Sequence, residues 1–243
     1  MDLRGRVAVV TGGGVRLGRA LVLALAGHGV RVVVHHGRSA GPAEQTAAEA
    51  RSLGTDAVTV QADLADEAAT RGILAEARSR LGSVDILVNS AAIFEPAGVR
   101  ETTSEAWDRH FAINLKAPFL LSQAFAAQGQ RDHAGKIVNI SDWRGLRPGA
   151  DHFAYTTTKA ALIAMTKSLA VALAPHIQVN CLALGAILLP AGADESYRER
   201  LVAQIPVGRL GDLAEVAEAL VFLLKNDFVT GQTVVIDGGR SLV

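Results

Sequence analysis

The chain lacks the features that would place it outside a reducing compartment or against another macromolecule. Cys181 is its only cysteine, so no disulfide can close within it, and a cytoplasmic home is expected. Neither charge dominates, since 24 Lys and Arg stand against 24 Asp and Glu. No basic cluster reads as a phosphate-tracking stripe, so no nucleic-acid partner is expected. No apolar run reaches the roughly 18 residues that a membrane span needs, and the stretch AALIAMTKSLAVALA is broken by Lys167. The opening MDLRGRVAVVTGGG has no charged start, long apolar core and small-residue cleavage site, so no secretory leader is expected. Internal linkers, short-period repeats and low-complexity tracts are also missing.

What is present is a core. Hydrophobic residues make up 49% of the 243 positions, which suits one large α/β domain over residues 1–243. Short β-branched runs at 6–10, 30–35, 57–62, 84–89, 136–141, 177–183 and 232–237 alternate with Ala/Leu-rich helical stretches. The runs are apolar on both faces, as in strands covered on two sides. Repeated β–α–β order predicts a doubly wound, seven-stranded parallel sheet with helices on both faces and right-handed crossovers. Two stretches read as irregular, 95–103 and 187–206; the second suits a substrate lid or an ordinary surface connection. In open parallel sheets ligands bind beyond the carboxyl ends of the strands, so the residues just after each strand carry the function.

After the first strand comes TGGGVRLGRA, residues 11–20. Its glycines allow a tight turn and close approach to a diphosphate, and the following helix offers unpaired N–H groups and a positive dipole end. Gly12, Arg16, Leu17 and Gly18 are the expected cofactor contacts here. The second strand ends in HHGRSA, without the acid that would bind both ribose hydroxyls. Arg38 and Ser39 can instead hold a 2′-phosphate, and His35 or His36 can sit beside the adenosine, so NADPH is the expected cofactor. Asp63, with Leu64 beside it, can accept from the adenine amino group or cap the next helix. Asn89 precedes small residues, Ala91 among them, that let a cofactor approach the backbone; alternatively it ties two strands together. Tyr155 and Lys159, in YTTTK, share a helix face. A nearby ammonium would lower the phenol's pKa from about 10 and fit it for proton transfer.

TGGG, ADL, the Asn89 region, FAINLKAPF, VNIS, YTTTK, IQVN and VTGQTVVIDGG fall in an order and spacing that resembles the short-chain dehydrogenase/reductase family over essentially the whole chain. The resemblance implies a Rossmann-like fold, hydride transfer from a nicotinamide, and a catalytic tetrad falling on Asn114, Asp142, Tyr155 and Lys159. Asn114 would hold Lys159 through an ordered water, or else mark a kink in a long helix over 104–127. Gly185, in ALG where the family usually has Pro-Gly, would flank the nicotinamide carboxamide. Helices over 104–127 and 153–174 match the family's four-helix dimer interface, and a homotetramer is the implied assembly.

Two departures narrow the resemblance. Arg16 stands where most members have a third glycine, and Asp142 where most have serine. Both changes recur in the branch of the pteridine reductases and dihydromonapterin reductases, which also resembles this chain in HHGRSA, in Phe94 as a pterin-stacking ring and in DGGRSLV. Ala92 departs from that branch's usual serine.

An ionised aspartate would repel a carbonyl oxygen gaining negative charge, whereas the nitrogen of a reduced C=N bond must gain a proton. Asp142 therefore suits pterin reduction, with Arg16, Phe94, Asp142 and Tyr155 as substrate contacts. If Ser141 faces the substrate instead, or burial keeps Asp142 protonated, reduction of a ketone or aldehyde is the alternative. A nucleotide-sensing protein without turnover is the alternative of another class.

Overall fold

A computed structural model describes residues 1–129, 135–190 and 192–243. Among them are seven parallel strands: β1 (Val7–Val10), β2 (Arg31–His36), β3 (Ala57–Gln61), β4 (Ile86–Asn89), β5 (Gly135–Asp142), β6 (Ile177–Leu184) and β7 (Thr233–Ile236). Their spatial order is β3-β2-β1-β4-β5-β6-β7, so the chain reverses its direction of travel across the sheet between β1 and β4. That is the switch point where open α/β sheets bind ligands.

Strand alternation explains why both faces are covered. Ala8 and Val10 of β1 join the core beneath α1 (Arg16–Gly27), α2 (Ala40–Ser52) and α8 (Leu213–Lys225). Val7 and Val9 join the core on the opposite face, beneath α3 (Glu67–Leu81), α5 (Ala117–Ala126) and α6 (Phe153–Ala172). Each of these buried valines contributes about 1.5–3 kcal/mol. β7 is the exception, an edge strand whose Val235 stays exposed.

The expected helix over 104–127 runs without a gap from Ser104 to Ala126: α4 (Ser104–Phe111) passes through a π-helical turn, Ala112–Lys116, into α5. Asn114 lies at the centre of that irregular turn, and single π turns are frequent at functional sites. One expectation needs correction. The stretch 187–206 is not wholly irregular, because it carries α7 (Glu195–Val202), capped by the Asp194 carboxylate on the Tyr197 N–H. Residue 191 of that stretch lies outside the described residues. No described helix is long and apolar enough to cross a membrane.

Candidate active site

The turn after β1 is built for close backbone approach. Gly12 has φ of 64°, and a Cβ on it would stand 3.1 Å from the Ala91 Cα. A Cβ on Gly18 would sit 2.1 Å from the Gly12 carbonyl oxygen, so only glycine fits as α1 begins. Thr11 holds the other wall: its Oγ1 accepts from the N–H groups of Ser90 (2.9 Å) and Ala91 (3.0 Å). Arg16 has φ of 50°, the left-handed region, which explains why glycine is the usual choice there. Holding arginine in that region costs of order 1–3 kcal/mol, and such strain clusters at functional sites. Its guanidinium donates to the Leu189 carbonyl at 2.9 Å, reaching across to the 187–206 segment.

His35, and not His36, braces this turn. Its Nδ1 accepts from the Gly12 N–H at 3.2 Å and its Nε2 lies 3.1 Å from the Ala62 carbonyl, which requires the neutral Nε2–H tautomer. Burial, assisted by His36, pushes its pKa from 6.5 down to about 4, against the Ala62 hydrogen bond. Between those values the unfolded chain binds a proton that the folded chain refuses, so this contribution to stability is lost as pH falls from 6.5 to about 4. The contribution is about 3 kcal/mol. Urea denaturation of the wild type and His35→Gln at pH 7 and pH 4.5 should show the pH-dependent loss shrinking by about 2–3 kcal/mol in the variant. Equal losses would mean that other groups carry the acid sensitivity.

Around the adenosine side the outcome is mixed. Arg38 is exposed after β2, with no side-chain hydrogen bond or ion pair among the described residues, and Ser39 lies half-buried at the start of α2. His36 is buried, with its Nδ1 3.3 Å from the Gly37 carbonyl. Asp63 does not cap α3: its Oδ1 accepts from the Ala65 N–H, and Asp66 is the cap. Leu64 is buried in the core, so its side chain does not line the cleft. Asn89 ties strands, its Nδ2 donating to Asn139 Oδ1 at 2.8 Å between paired positions of β4 and β5. Its own Oδ1 is buried without a partner. Gly185 is required by a close crossing, since a Cβ there would meet the Asp237 Cα at 2.5 Å.

At the end of β5 the structure decides between adjacent residues. The Tyr155 hydroxyl donates to Asp142 Oδ2 at 3.1 Å, while Ser141 Oγ donates to the Lys159 carbonyl and is buried away from the cleft. Asp142 also caps the following turn, its Oδ1 accepting from the Arg144 N–H at 2.8 Å. One oxygen holds the loop and the other holds the phenol. Lys159 is buried, donates to the Ile140 carbonyl at 2.7 Å, and lies 5.5 Å from the Tyr155 ring centroid.

These placements overturn one expectation about charge. Burial first, and the Asp142 carboxylate next, push the Tyr155 phenol well above its usual 10, and Lys159 is not among the groups acting on it. Burial also raises Asp142, against the Arg144 N–H, Lys159 and Tyr155. Lys159 is pushed down by burial to about 8, with Asp142 pulling it back up. Tyr155 is thus a firmly protonated donor resting on a carboxylate.

Phe94 stands at the cleft, half exposed, with its ring 4.6 Å from Tyr155, edge to face. One of its faces stacks on His152, centroids 4.0 Å apart and planes within 7°. His152 escaped the sequence reading; its position just before α6 was the only available signal. Asn114 does not bond Lys159 directly. Its Oδ1 accepts from the Ile93 N–H at 2.9 Å, and its Nδ2 donates to the Ile93 carbonyl and to Thr158 Oγ1. It clamps the segment bearing Phe94 to the helix bearing Lys159.

A diphosphate-shaped turn at the switch point, with a tyrosine–lysine pair on the helix after β5, defines a nucleotide-binding α/β oxidoreductase. A family model described as "Enoyl-(Acyl carrier protein) reductase" matches residues 14–241. The chain is 38% identical to bovine L-xylulose reductase, over 98% of each chain. It is 34% identical to an L-rhamnose 1-dehydrogenase (NAD(P)(+)) of a Sphingomonas species, over 98% of this chain and 96% of that one. Among solved structures, the FolM alternative dihydrofolate reductase 1 of Brucella canis, complexed with NADP, superposes with a TM-score of 0.95 at 36% identity, covering 100% of this chain and 96% of that one. A doubly substituted short-chain dehydrogenase/reductase of Serratia marcescens gives 0.93 at 32% identity, over 99% and 100%. The chain belongs to the short-chain dehydrogenase/reductase family and is an oxidoreductase.

Proposed function

We propose that this enzyme is an NADPH-dependent reductase of a C=N bond in a pterin or dihydropterin. The observation that carries the reading is the carboxyl of Asp142 in hydrogen-bond contact with the Tyr155 hydroxyl. The Brucella canis relative, a dihydrofolate reductase by name, supports it. NADPH is the cofactor: the glycine cradle fits a diphosphate, Arg38 is free for a 2′-phosphate, and no acid at the end of β2 opposes it. Gly12, Leu17 and Gly18 would line the diphosphate, Ser39 and Arg38 the 2′-phosphate, and Lys159 the nicotinamide ribose.

When bound, NADPH would supply the hydride. Tyr155 would donate its proton to the nitrogen that gains the electron pair, Asp142 would hold the phenol in line, and a proton from solvent, relayed through the Asp142 carboxyl, would restore the phenol. A carboxylate also stabilises a protonated imine, which a serine hydroxyl does not. The enzyme assembles as a homotetramer, one interface covering the apolar groove of about 680 Å³ lined by Phe111, Leu115, Phe119 and Met165, of which Phe119 is exposed. Light scattering that gives a monomer refutes this assembly.

Reduction of a ketone or aldehyde is the second reading, favoured by the burial that raises Asp142 toward its neutral form and by the sugar-active relatives. Asp142→Ser separates the two. Turnover of dihydrobiopterin should fall by about 100-fold or more. If the variant instead keeps pterin turnover, or gains on ketones what the wild type lacks, the C=N reading is wrong.

A further inference from the structure

Beside Asp142 lies a cationic cavity that the steps above do not use. It measures about 380 Å³ and is lined by Trp143, Arg147, Pro148, Gln204 and Arg240 among others. Three segments build it: Trp143 and Arg147 follow β5, Gln204 follows α7, and Arg240 follows β7. Trp143, which lines it, follows Asp142 directly in the chain, and the Asp142 carboxyl is among the charges that act on Arg240.

Among the described residues the cavity's two arginines have no direct ion-pair partner. Arg144 and Arg240 both lie over the Trp143 indole, with Cζ at 5.2 and 4.4 Å from the ring centroid. Arg144 is neutralised by a two-pronged pair with Asp151, at 2.5 and 2.9 Å. Arg240 has only the neutral Gln204 amide oxygen, at 2.9 Å, and Arg147 reaches only the Arg240 carbonyl, at 3.4 Å. Among the described residues, no carboxylate forms an ion pair with either one. Burial first and the neighbouring Arg144 next make it harder for Arg240 to keep its proton, against Asp142, Tyr197 and Asp151. Two guanidiniums without an ion-pair partner, one of them partly desolvated, are what a bound anion relieves, and arginine's planar fork matches a carboxylate.

We propose that Arg240 and Arg147 form a subsite for an anionic, carboxylate-bearing tail on the substrate's heterocycle, so that tailed pterins of the folate type bind in preference to those with neutral side chains. This rests on the pterin reading for the ring, but not for the tail. Arg240 bridges the C-terminal end of β7 to Gln204 behind α7, so tail binding and the 187–206 segment share a contact.

Calorimetric titration of the NADP⁺ complex tests it with three ligands: folate, biopterin and p-aminobenzoylglutamate, which is the tail without the ring. Wild type should bind folate more tightly than biopterin. In Arg240→Gln and Arg147→Gln the ratio of folate to biopterin affinity should fall about tenfold, with p-aminobenzoylglutamate weakened in step, and Arg240→Lys should recover part of the loss. Unchanged NADP⁺ affinity in each variant certifies the fold. An unaltered ratio, or no binding of either tailed ligand to wild type, overturns the subsite. If p-aminobenzoylglutamate binds through these arginines while biopterin does not bind at all, the subsite stands and the pterin reading falls.

Discussion

Tyr155→Phe should lower kcat by about 10²–10⁴-fold while leaving NADPH affinity within about twofold. The hydroxyl is the proton donor, and the groups proposed to hold the cofactor are untouched by its loss. Lys159 keeps its own anchor on the Ile140 carbonyl and does not depend on the phenol for position. The edge-to-face contact with Phe94 also survives, because it belongs to the ring.

The hydroxyl's loss should be visible in a second way. Asp142 would lose one of the three groups that lower its pKa against burial, so its carboxyl should protonate at higher pH than in the wild type. Single-turnover kinetics with dihydrobiopterin measures the first effect, and the pH dependence of the residual rate the second. A residual kcat within tenfold of wild type would mean that Asp142 or water delivers the proton and that the phenol only orients the substrate.

Gly18→Ala should weaken NADPH binding by about 100-fold, while the control Gly27→Ala in the same helix should leave it unchanged. The added Cβ at position 18 would lie 2.1 Å from the Gly12 oxygen and 2.7 Å from the Gly12 carbonyl carbon. Both are backbone atoms, so no rotamer relieves the overlap and the turn must open. Overpacking of this kind costs about 1–3 kcal/mol, and about 1.4 kcal/mol is a factor of ten in affinity. At Gly27 nothing lies within 4 Å of the added carbon. Equilibrium fluorescence titration with NADPH reads both, and native-like melting of Gly18→Ala separates lost binding from lost folding. Wild-type affinity in Gly18→Ala would show that the turn is free to open and that its geometry does not set the binding site.

The strands were legible because a sheet buried on both faces selects short, continuous β-branched runs, and these ended within one or two residues of where the structure ends them. β7 read like the others although it is an edge, since its apolar side chains suit a covered strand whether or not a layer covers it. The irregularity at Asn114 was one of two readings left open; a π turn adds one residue to a helical turn without any proline or glycine to announce it. Asn89 and Asn139 form their tie only because β4 and β5 pair in register, a fact of the sheet and not of either segment.

By itself the sequence determined the chain's class. Periodicity demanded a parallel α/β sheet, and the glycines after β1 and the tyrosine four residues before the lysine can be read from local spacing alone. Tertiary structure alone decided which chemistry the site can do. Ser141 and Asp142 sit on opposite faces of one strand, and only the packing of α6 against β5 turned Asp142 to the tyrosine and Ser141 to the Lys159 carbonyl. The shift of Tyr155 upward, the histidine under the phosphate turn and the arginines gathered on Trp143 from beyond β5 and β7 have the same origin. Burial and neighbouring charge are set by residues distant in the chain, and no local pattern carries them.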